Sequence, residues 1–438
     1  MWPICDAMKP VPPSTFSLRD SSVLVVGAGM VGVCVALDLL RRGARVTLID
    51  RRDPGQETSY GNAGVLARSS LMPLNNPGML RDLPGLLSNR GAALRYSWRY
   101  LLANLSWALP FAANARRSRV AQTATALDQL IQLSIPAHKA LIAECGQEDL
   151  LAEKGWIFLY RSEVSFGRAG LLREMLSRFG VAHAALDGPG LRDLEPQLAP
   201  IFPHGLWVQD SASVRDPGAL VAAYARRFVA EGGVVQAGSV AALAPGDRPG
   251  VVLDGGERVQ ADHCVLCPGP WGKDLLSRAG YRVPMAFERG YHRHFQGPAD
   301  PGNTPALGRP IYDTAGGYVL SPMRQGLRLT SGVELNGLEA PENHAQITRA
   351  EAAAREAIDL GPRCDDRTWM GARPTFPDSQ PCIGALPQAP GLSVAFGHQH
   401  IGFATGPGTA RLLGELLEGQ SPPIDPTPFR PDRFIRRA

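Results

Sequence analysis

The sequence predicts an α/β fold, α+β overall, in which a doubly wound parallel-sheet domain is interleaved with a discontinuous mixed-sheet domain. Three observations predict it. Residues 23–50, VLVVGAGMVGVCVALDLLRRGARVTLID, hold a complete strand–turn–helix–strand unit. Segments of similar type recur in the middle of the chain and at its end. Between them lie runs of short strands, above all in residues 283–333. A chain that leaves its first domain and returns to it twice makes both domains discontinuous. The boundaries expected are 1–20 for a loose N-terminal tail, 21–90, 216–275 and 378–430 for the first domain, and 91–215 and 276–377 for the second.

The opening unit carries the most information. The apolar run Val23 to Val26 enters a G-x-G-x-x-G turn at Gly27, Gly29 and Gly32. A helical pattern follows to about Gly43, and a second strand, Val46 to Ile49, delivers Asp50. This spacing is the dinucleotide fingerprint of a Rossmann-like domain. Gly27 permits the tight turn, Gly29 lets the backbone approach a pyrophosphate, and Gly32 lets helix and strand pack closely. The pyrophosphate then meets a helix N-terminus, where unpaired N–H groups favour an anion. Asp50 is placed to accept hydrogen bonds from a ribose, with Arg51 beside it. Gly-rich turns alone are common; both flanking strands and the acid make this one specific.

The remaining elements follow in order. ETSYGNAGVLA, residues 57–67, is small and polar. Leu94 to Arg119 is aromatic and dotted with Arg, and helical patterning continues from Val120 to Cys145. Trp156 to Arg161 reads as a strand and Leu171 to Phe179 as a helix. A second β-α-β-like block begins near Leu206, with a helix from Gly218 to Glu231 and strands at Val234–Val240 and Val251–Leu253. HCVLCPGPW, residues 263–271, is a strand ending in a glycine turn. The strand-rich stretch includes MAFERGYHRHF and GYVLSP, and residues 348–360 read as a helix. The chain closes with strand, glycine-rich turn and helix over residues 392–419.

Composition bounds the function. Hydrophobic residues at 44% and charged residues at 20% describe a globular protein rather than a disordered one. A net charge of +4 is too mild to imply nucleic acid. Apart from Lys9, Lys139, Lys154 and Lys273 the basic residues are all Arg, which weakens any single Arg as a functional signal. Seven scattered cysteines suggest reduced thiols and a cytoplasmic location. Cys264 and Cys267 form a C-x-x-C, but without a second pair or a nearby His no metal site is expected. The first 20 residues lack the features of a signal peptide. The best membrane-span candidate, Tyr100 to Ala115, is interrupted by Asn104, Ser106, Pro110 and Asn114. The aromatics of Leu94–Arg119 (Tyr96, Trp98, Tyr100, Trp107, Phe111) sit among Arg95, Arg99, Arg116, Arg117 and Arg119. They suit either a domain-packing helix or a peripheral contact with the inner face of the cell membrane.

Six motifs in order now carry a resemblance. They are VGAGMVGVCVALDLLRRGARVTLID, ETSYGNAGVL, GLWVQDSASVRDPGAL followed by GGVV, VLCPGPW, WMGARPTFPDSQPCIG and GHQHIGFATGPGTA. From Ser21 to Gly419 the chain resembles the D-amino-acid dehydrogenase branch of the glycine oxidase and D-amino-acid oxidase superfamily of flavoproteins. The resemblance implies FAD and oxidation of the Cα–N bond of an amino acid. It implies that Gly27, Gly29 and Gly32 hold the pyrophosphate and that Asp50 and Arg51 lie at the adenosine end. Thr58, Ser59, Asn62, Ala63, Gly64 and Val65 would run along the pyrophosphate and flavin ring. Val240 would meet the adenine through its backbone, and Pro268, Gly269 and Trp271 would form a third cofactor-facing turn. Gly402, Phe403 and Ala404 would meet the pyrimidine end of the flavin, where a helix N-terminus can stabilise negative charge. Residues 57–70 contain no His or Cys, so the FAD is expected to be held without a covalent bond.

On the substrate side, a carboxylate calls for a planar bidentate donor, which Arg supplies better than Lys. Arg373 matches the carboxylate-binding Arg of the family, and Tyr318 matches a Tyr that caps the same group. In ERGYHRH, strand alternation sets Tyr291 and Arg293 on one face and Gly290, His292 and His294 on the other. Tyr291 and His292 are the candidate contacts there, and His398 and His400 flank the late glycine turn. The implied mechanism is hydride transfer from Cα to the flavin, with the electrons passed to a quinone or carrier. ERGYH and FGHQHIGFATGPGTA look closest to the cis-4-hydroxy-D-proline dehydrogenases, which points to that substrate or D-proline. Two alternatives remain: a glycine- or sarcosine-type oxidase that uses oxygen, and a flavin-binding subunit of a multi-subunit dehydrogenase. A nicotinamide-linked enzyme would leave GHQHIGFATGP without a role.

Overall fold

The computed structural model describes residues 17–78, 89, 91–298 and 306–438. Most of the expected N-terminal tail, with Cys5, lies outside the described residues.

Two large sheets organise the chain. In the first, of six strands, Ser22–Val26 sits near the centre. Its residues Val23 to Val26 are all apolar and buried, the mark of a parallel strand covered on both faces. It pairs in parallel with Arg45–Asp50 on one side and His263–Leu266 on the other. Val234–Ala237 and Leu392–Phe396 extend the sheet in parallel at either end. Cys382–Ala385 closes one edge as an antiparallel strand. The sheet therefore draws on the start, middle and end of the chain, as the recurring segments predict.

The helix Met30–Arg41 packs in one apolar cluster with Arg117–Glu144, Pro217–Ala230 and Gly402–Leu417, through residues such as Val33, Leu130, Phe228 and Leu412. Packing, not propensity, fixes the last of these helices. Gly402–Leu417 contains Pro407 and four glycines. A helical Gly costs about 1 kcal/mol and Pro about 3. Buried Phe403, Leu412, Leu413 and Leu417 each contribute roughly 1.5–3 kcal/mol and outweigh that cost. The small residues also admit the neighbouring helix, and the Gly408 N–H donates to Ser134 Oγ at 3.1 Å.

The second sheet has ten strands and is mixed. Its hub is Ala286–Phe295, which pairs antiparallel with Gly326–Ser331, Val333–Leu335 and Trp369–Thr375. Outward from Gly326–Ser331 run Tyr318–Met323, Ile311–Asp313, Trp156–Tyr160, His204–Val208 and His183–Asp187. The helix Ala345–Ala357 backs it through Ile347, Ala350 and Ala354.

Several expectations need correction. The block near Leu206 is not a second β-α-β unit. His204–Val208 belongs to the mixed sheet, and the next strand, Ser211–Val214, pairs antiparallel with Val65–Ala67. Val234–Val240 is not one strand. After Val234–Ala237 the Gly238 N–H donates to the Asp50 carbonyl, and Val240–Ala244 turns into an antiparallel meander with Gly250–Leu253 and Arg258–Gln260. The segment Leu94–Arg119 contains the short strand Leu94–Tyr96 and the helices Trp98–Ala103 and Leu105–Ala113.

Candidate active site

A cavity of about 760 Å³ is lined by residues from both large sheets. Part of its wall is shaped by contacts that only glycine permits. Gly27 has φ +102°, and a Cβ there would stand 2.3 Å from the Cys267 carbonyl oxygen. A Cβ on Gly32 would stand 1.7 Å from the Gly27 carbonyl oxygen. Strand end, helix start and the turn after His263–Leu266 thus meet with no room for a side chain.

Asp50 is anchored to this turn. Its Oδ2 accepts the Ala28 N–H at 2.6 Å and its Oδ1 the Arg52 N–H at 3.0 Å, while the residue still borders the cavity. The Arg51 guanidinium lies 4.2 Å from the centre of the Trp271 ring and pairs with Glu57 at 2.7 Å. Gly29, Val240, Pro268 and Gly269 also line the cavity.

The loop at residues 57–65 runs along the cavity and is tied to both halves. Met30 N–H donates to Ser59 Oγ at 3.0 Å, and Thr58 Oγ1 donates to the Ala372 carbonyl at 3.1 Å. Asn62 Oδ1 accepts the Gly64 N–H at 2.8 Å. Thr58, Ser59, Asn62, Ala63 and Val65 border the cavity; Gly64 does not, being packed against the Val214 carbonyl. Sequence reasoning missed the residue that holds this loop from the second sheet. Buried Arg328 donates to the Tyr60 carbonyl at 2.8 Å and the Asn62 carbonyl at 2.6 Å. Burial pushes its pKa down to about 10. In so Arg-rich a chain no local signal marks it out.

Gly402 and Phe403 bring the N-terminus of the closing helix to the cavity. Ala404 is turned into the helix cluster instead. A second missed residue, His138, meets the Phe403 carbonyl through Nε2 at 2.9 Å and the Tyr224 hydroxyl through Nδ1 at 3.1 Å. Burial pushes its pKa down to about 4, so it is neutral at ordinary pH. Neutral imidazole has one N–H; donated to Phe403, it leaves Nδ1 to accept from Tyr224.

The other wall centres on Arg373, partly buried on Trp369–Thr375. Its guanidinium packs over Gly290, where a Cβ would stand 2.5 Å from Nη2. Among the described residues it makes no hydrogen bond or ion pair, although it borders the cavity. Burial lowers its pKa and the nearby Glu288 carboxylate pulls it back up. His398 and His400 border the same wall. Burial pushes them to about 3 and about 4, so both are neutral, and His398 Nε2 meets Thr409 Oγ1 at 3.0 Å.

Of three expected substrate contacts, Tyr318 and His292 do not line the cavity, and Tyr291 lines it with its hydroxyl engaged elsewhere. Tyr318 alternates with cavity-lining Val319, so its ring faces the opposite, apolar side, near Asp313 and Arg161. Tyr291 lines the cavity, but its hydroxyl donates to Glu334 at 2.6 Å and accepts from Arg289 at 2.7 Å. His292 lies off the cavity, stacked on Trp369 with ring centres 4.7 Å apart. Burial, with Arg328 alongside, holds its pKa near 2.

A cavity lined by a glycine turn, by the adjoining N-termini of two helices and by a cation left unpaired among the described residues fits an anionic dinucleotide carrying a redox ring. Among the described residues no group of three or more His, Cys, Asp or Glu is placed to hold a metal ion.

These features define a dinucleotide-dependent redox enzyme. Residues 22–416 match the family model DAO, FAD dependent oxidoreductase, and the chain belongs to that family. It is an FAD-dependent oxidoreductase. The chain is 34% identical to a D-amino-acid oxidase of Bradyrhizobium diazoefficiens, over 94% of this chain and 99% of that one. It is 30% identical to D-amino acid dehydrogenase 2 of Ralstonia nicotianae, over 93% and 99% respectively. Among solved structures, glycine oxidase from Geobacillus kaustophilus superposes with a TM-score of 0.71 at 21% identity, covering 94% of this chain and 98% of that one. That likeness shows the shared fold.

Proposed function

We propose that this enzyme oxidises the Cα–N bond of a D-amino acid and passes the electrons to a quinone or carrier rather than to oxygen. The observation that carries the reading is the unpaired Arg373 guanidinium in the cavity, a bidentate site for a carboxylate. The names of the two relatives described above support the amino-acid class. The six-stranded-sheet half, residues 21–90, 216–275 and 378–430, would hold FAD, and 91–215 with 276–377 would hold substrate. Helix Arg117–Glu144 bridges the two by packing on the first half.

In this reading Gly27, Gly29 and Gly32 receive the pyrophosphate and Asp50 the ribose. Bound FAD supplies the hydride acceptor. Arg373 fixes the carboxylate and so aims Cα–H, a contribution of orientation rather than of chemistry. Gly402 and Phe403, held by His138, present backbone dipoles to the ring. Cyclic D-amino acids, D-proline or cis-4-hydroxy-D-proline, are the proposed substrates.

Purified protein is expected to be yellow, to release intact FAD on denaturation, and to reduce an artificial dye with a D-amino acid from a panel. Colourless protein, or flavin that stays with the precipitate, would sink the non-covalent cofactor; a silent panel would sink the substrate class. Oxygen as acceptor is the second reading, favoured by the name of the 34% identical relative. Stoichiometric hydrogen peroxide would establish it. Activity of the isolated chain would exclude a purely assembling subunit.

The acceptor proposal has a surface. Trp98, Leu102 and Leu109 on the paired short helices are 53%, 64% and 66% exposed, while Trp107 is buried against Phe111. Exposed Arg99, Arg116 and Arg119 flank them. No described helix is long and apolar enough to cross a membrane. We infer peripheral docking on anionic lipid. Phosphatidylserine-containing vesicles are expected to bind the holoenzyme at low salt, more weakly at high salt and after Trp98→Ser with Leu109→Ser. Indifference of the wild type to vesicles at low salt would remove this part.

A further inference from the structure

The second charge on the cavity wall is Glu288, only 1% exposed and yet cavity-lining. It stands directly across the antiparallel ladder from Arg373. Opposite charges in that register ordinarily close into a cross-strand pair. Here they form no ion pair. Glu288 Oε1 accepts the Thr375 hydroxyl at 2.6 Å, and Oε2 has no hydrogen-bond partner. A buried carboxylate oxygen left without a partner costs about 1–3 kcal/mol or more. A group retained at that cost, beside an equally unpaired cation, is complementary to a ligand that carries both signs.

We propose that Glu288 binds the amine nitrogen of the substrate while Arg373 binds its carboxylate, so that the two side chains together recognise an α-amino acid and reject a 2-hydroxy acid. The proposal rests on the substrate class given above. It also gives Glu288 a part in the reaction. As the Cα–H bond breaks, its electron pair leaves to the flavin. The ammonium has by then given up one proton to solvent, so the freed nitrogen lone pair closes a C=N bond and the nitrogen becomes cationic again. A carboxylate fixed at that nitrogen stabilises the charge as it develops, without reorganisation. The imino acid is then hydrolysed by water to a 2-oxo acid and an amine or ammonium.

The surroundings are consistent. The groups that face Glu288 are Arg373 and Thr375 on the partner strand and Tyr100 on the short helix Trp98–Ala103, whose hydroxyl accepts the Phe287 N–H at 2.9 Å. His400 is close enough to feel the Arg373 charge and is neutral. Burial raises the Glu288 pKa to about 6, with Thr375 and Arg373 pulling it down. The carboxylate is therefore charged at neutral pH and lost as pH falls through about 6.

The test uses two ligands that cannot be oxidised, with flavin absorbance of the holoenzyme reporting occupancy. The first is 2-aminoisobutyrate, which lacks Cα–H. The second is pivalate, in which a methyl group replaces the ammonium. Wild type is expected to bind 2-aminoisobutyrate about tenfold or more tightly than pivalate at pH 7.5, and to lose that preference below about pH 6. Glu288→Gln, which keeps the Thr375 contact and the side-chain volume, is expected to abolish the preference and its pH dependence while binding pivalate at least as well. A wild type without preference, or a Glu288→Gln variant that keeps it, overturns the proposal. Failure of the carboxylate site reads differently: Arg373→Ala would then bind both ligands as wild type does.

Discussion

Arg373→Ala is expected to lower kcat/KM about a hundredfold while the protein stays folded and yellow. Two charge-assisted hydrogen bonds to a carboxylate contribute about 3 kcal/mol together, and each 1.36 kcal/mol is a factor of ten. The guanidinium makes no contact at hydrogen-bond distance with the described protein, so its removal disturbs no internal pair. The loss should thus appear in substrate binding and turnover rather than in the melting temperature. Arg373→Lys should be nearly as poor, because an ammonium cannot reproduce the planar fork that packs over Gly290. Steady-state kinetics beside a thermal melt separate the effects; near-normal kinetics in either variant would remove Arg373 from the site.

Gly32→Ala is expected to be the most damaging single methyl group that can be added near the cofactor. Its Cβ would stand 1.7 Å from the Gly27 carbonyl oxygen, and neither group is the end of a flexible side chain. The helix Met30–Arg41 must shift away from its strand. That shift opens the turn proposed to receive the pyrophosphate and disturbs the packing of Val33 and Leu37. Overpacking of this kind costs about 3 kcal/mol, and the cofactor's own stabilisation is lost with it. Colourless protein with a lowered melting temperature is the expected result. A yellow variant that melts like wild type would show that the turn tolerates the methyl.

The cofactor half was legible in the sequence because its signals are local. Gly27, Gly29, Gly32 and Asp50 lie within one supersecondary unit, and their spacing alone implies the turn. The substrate wall was legible only in part. Arg373 was found through a motif, but Tyr318 was assigned without knowing which face of its strand meets the cavity. Neighbouring Val319 takes that place. For Tyr291 the expected alternation holds, and it is this alternation that carries the hydroxyl away to Glu334. Glu288 was passed over because its significance lies in a cross-strand register with Arg373, 85 positions away, which no local pattern reports. Arg328 and His138 act on backbone carbonyls of distant segments, and such acceptors leave no trace in the residue types around them.

The interleaved sheet also sets a timetable for the chain. Ser22–Val26 is made well before its parallel partner, which in the register Val23↔His263 is 240 residues behind it. At a ribosomal pace of about 5–20 residues per second, that partner arrives roughly 12–48 seconds later. The closing helix, which covers the same core, follows only after residue 402. Until then an apolar strand and the buried face of Met30–Arg41 have no complete core to enter. The sheet begun at Ser22–Val26 is therefore finished only after the mixed sheet has been made, and over that interval its apolar faces are exposed to aggregation.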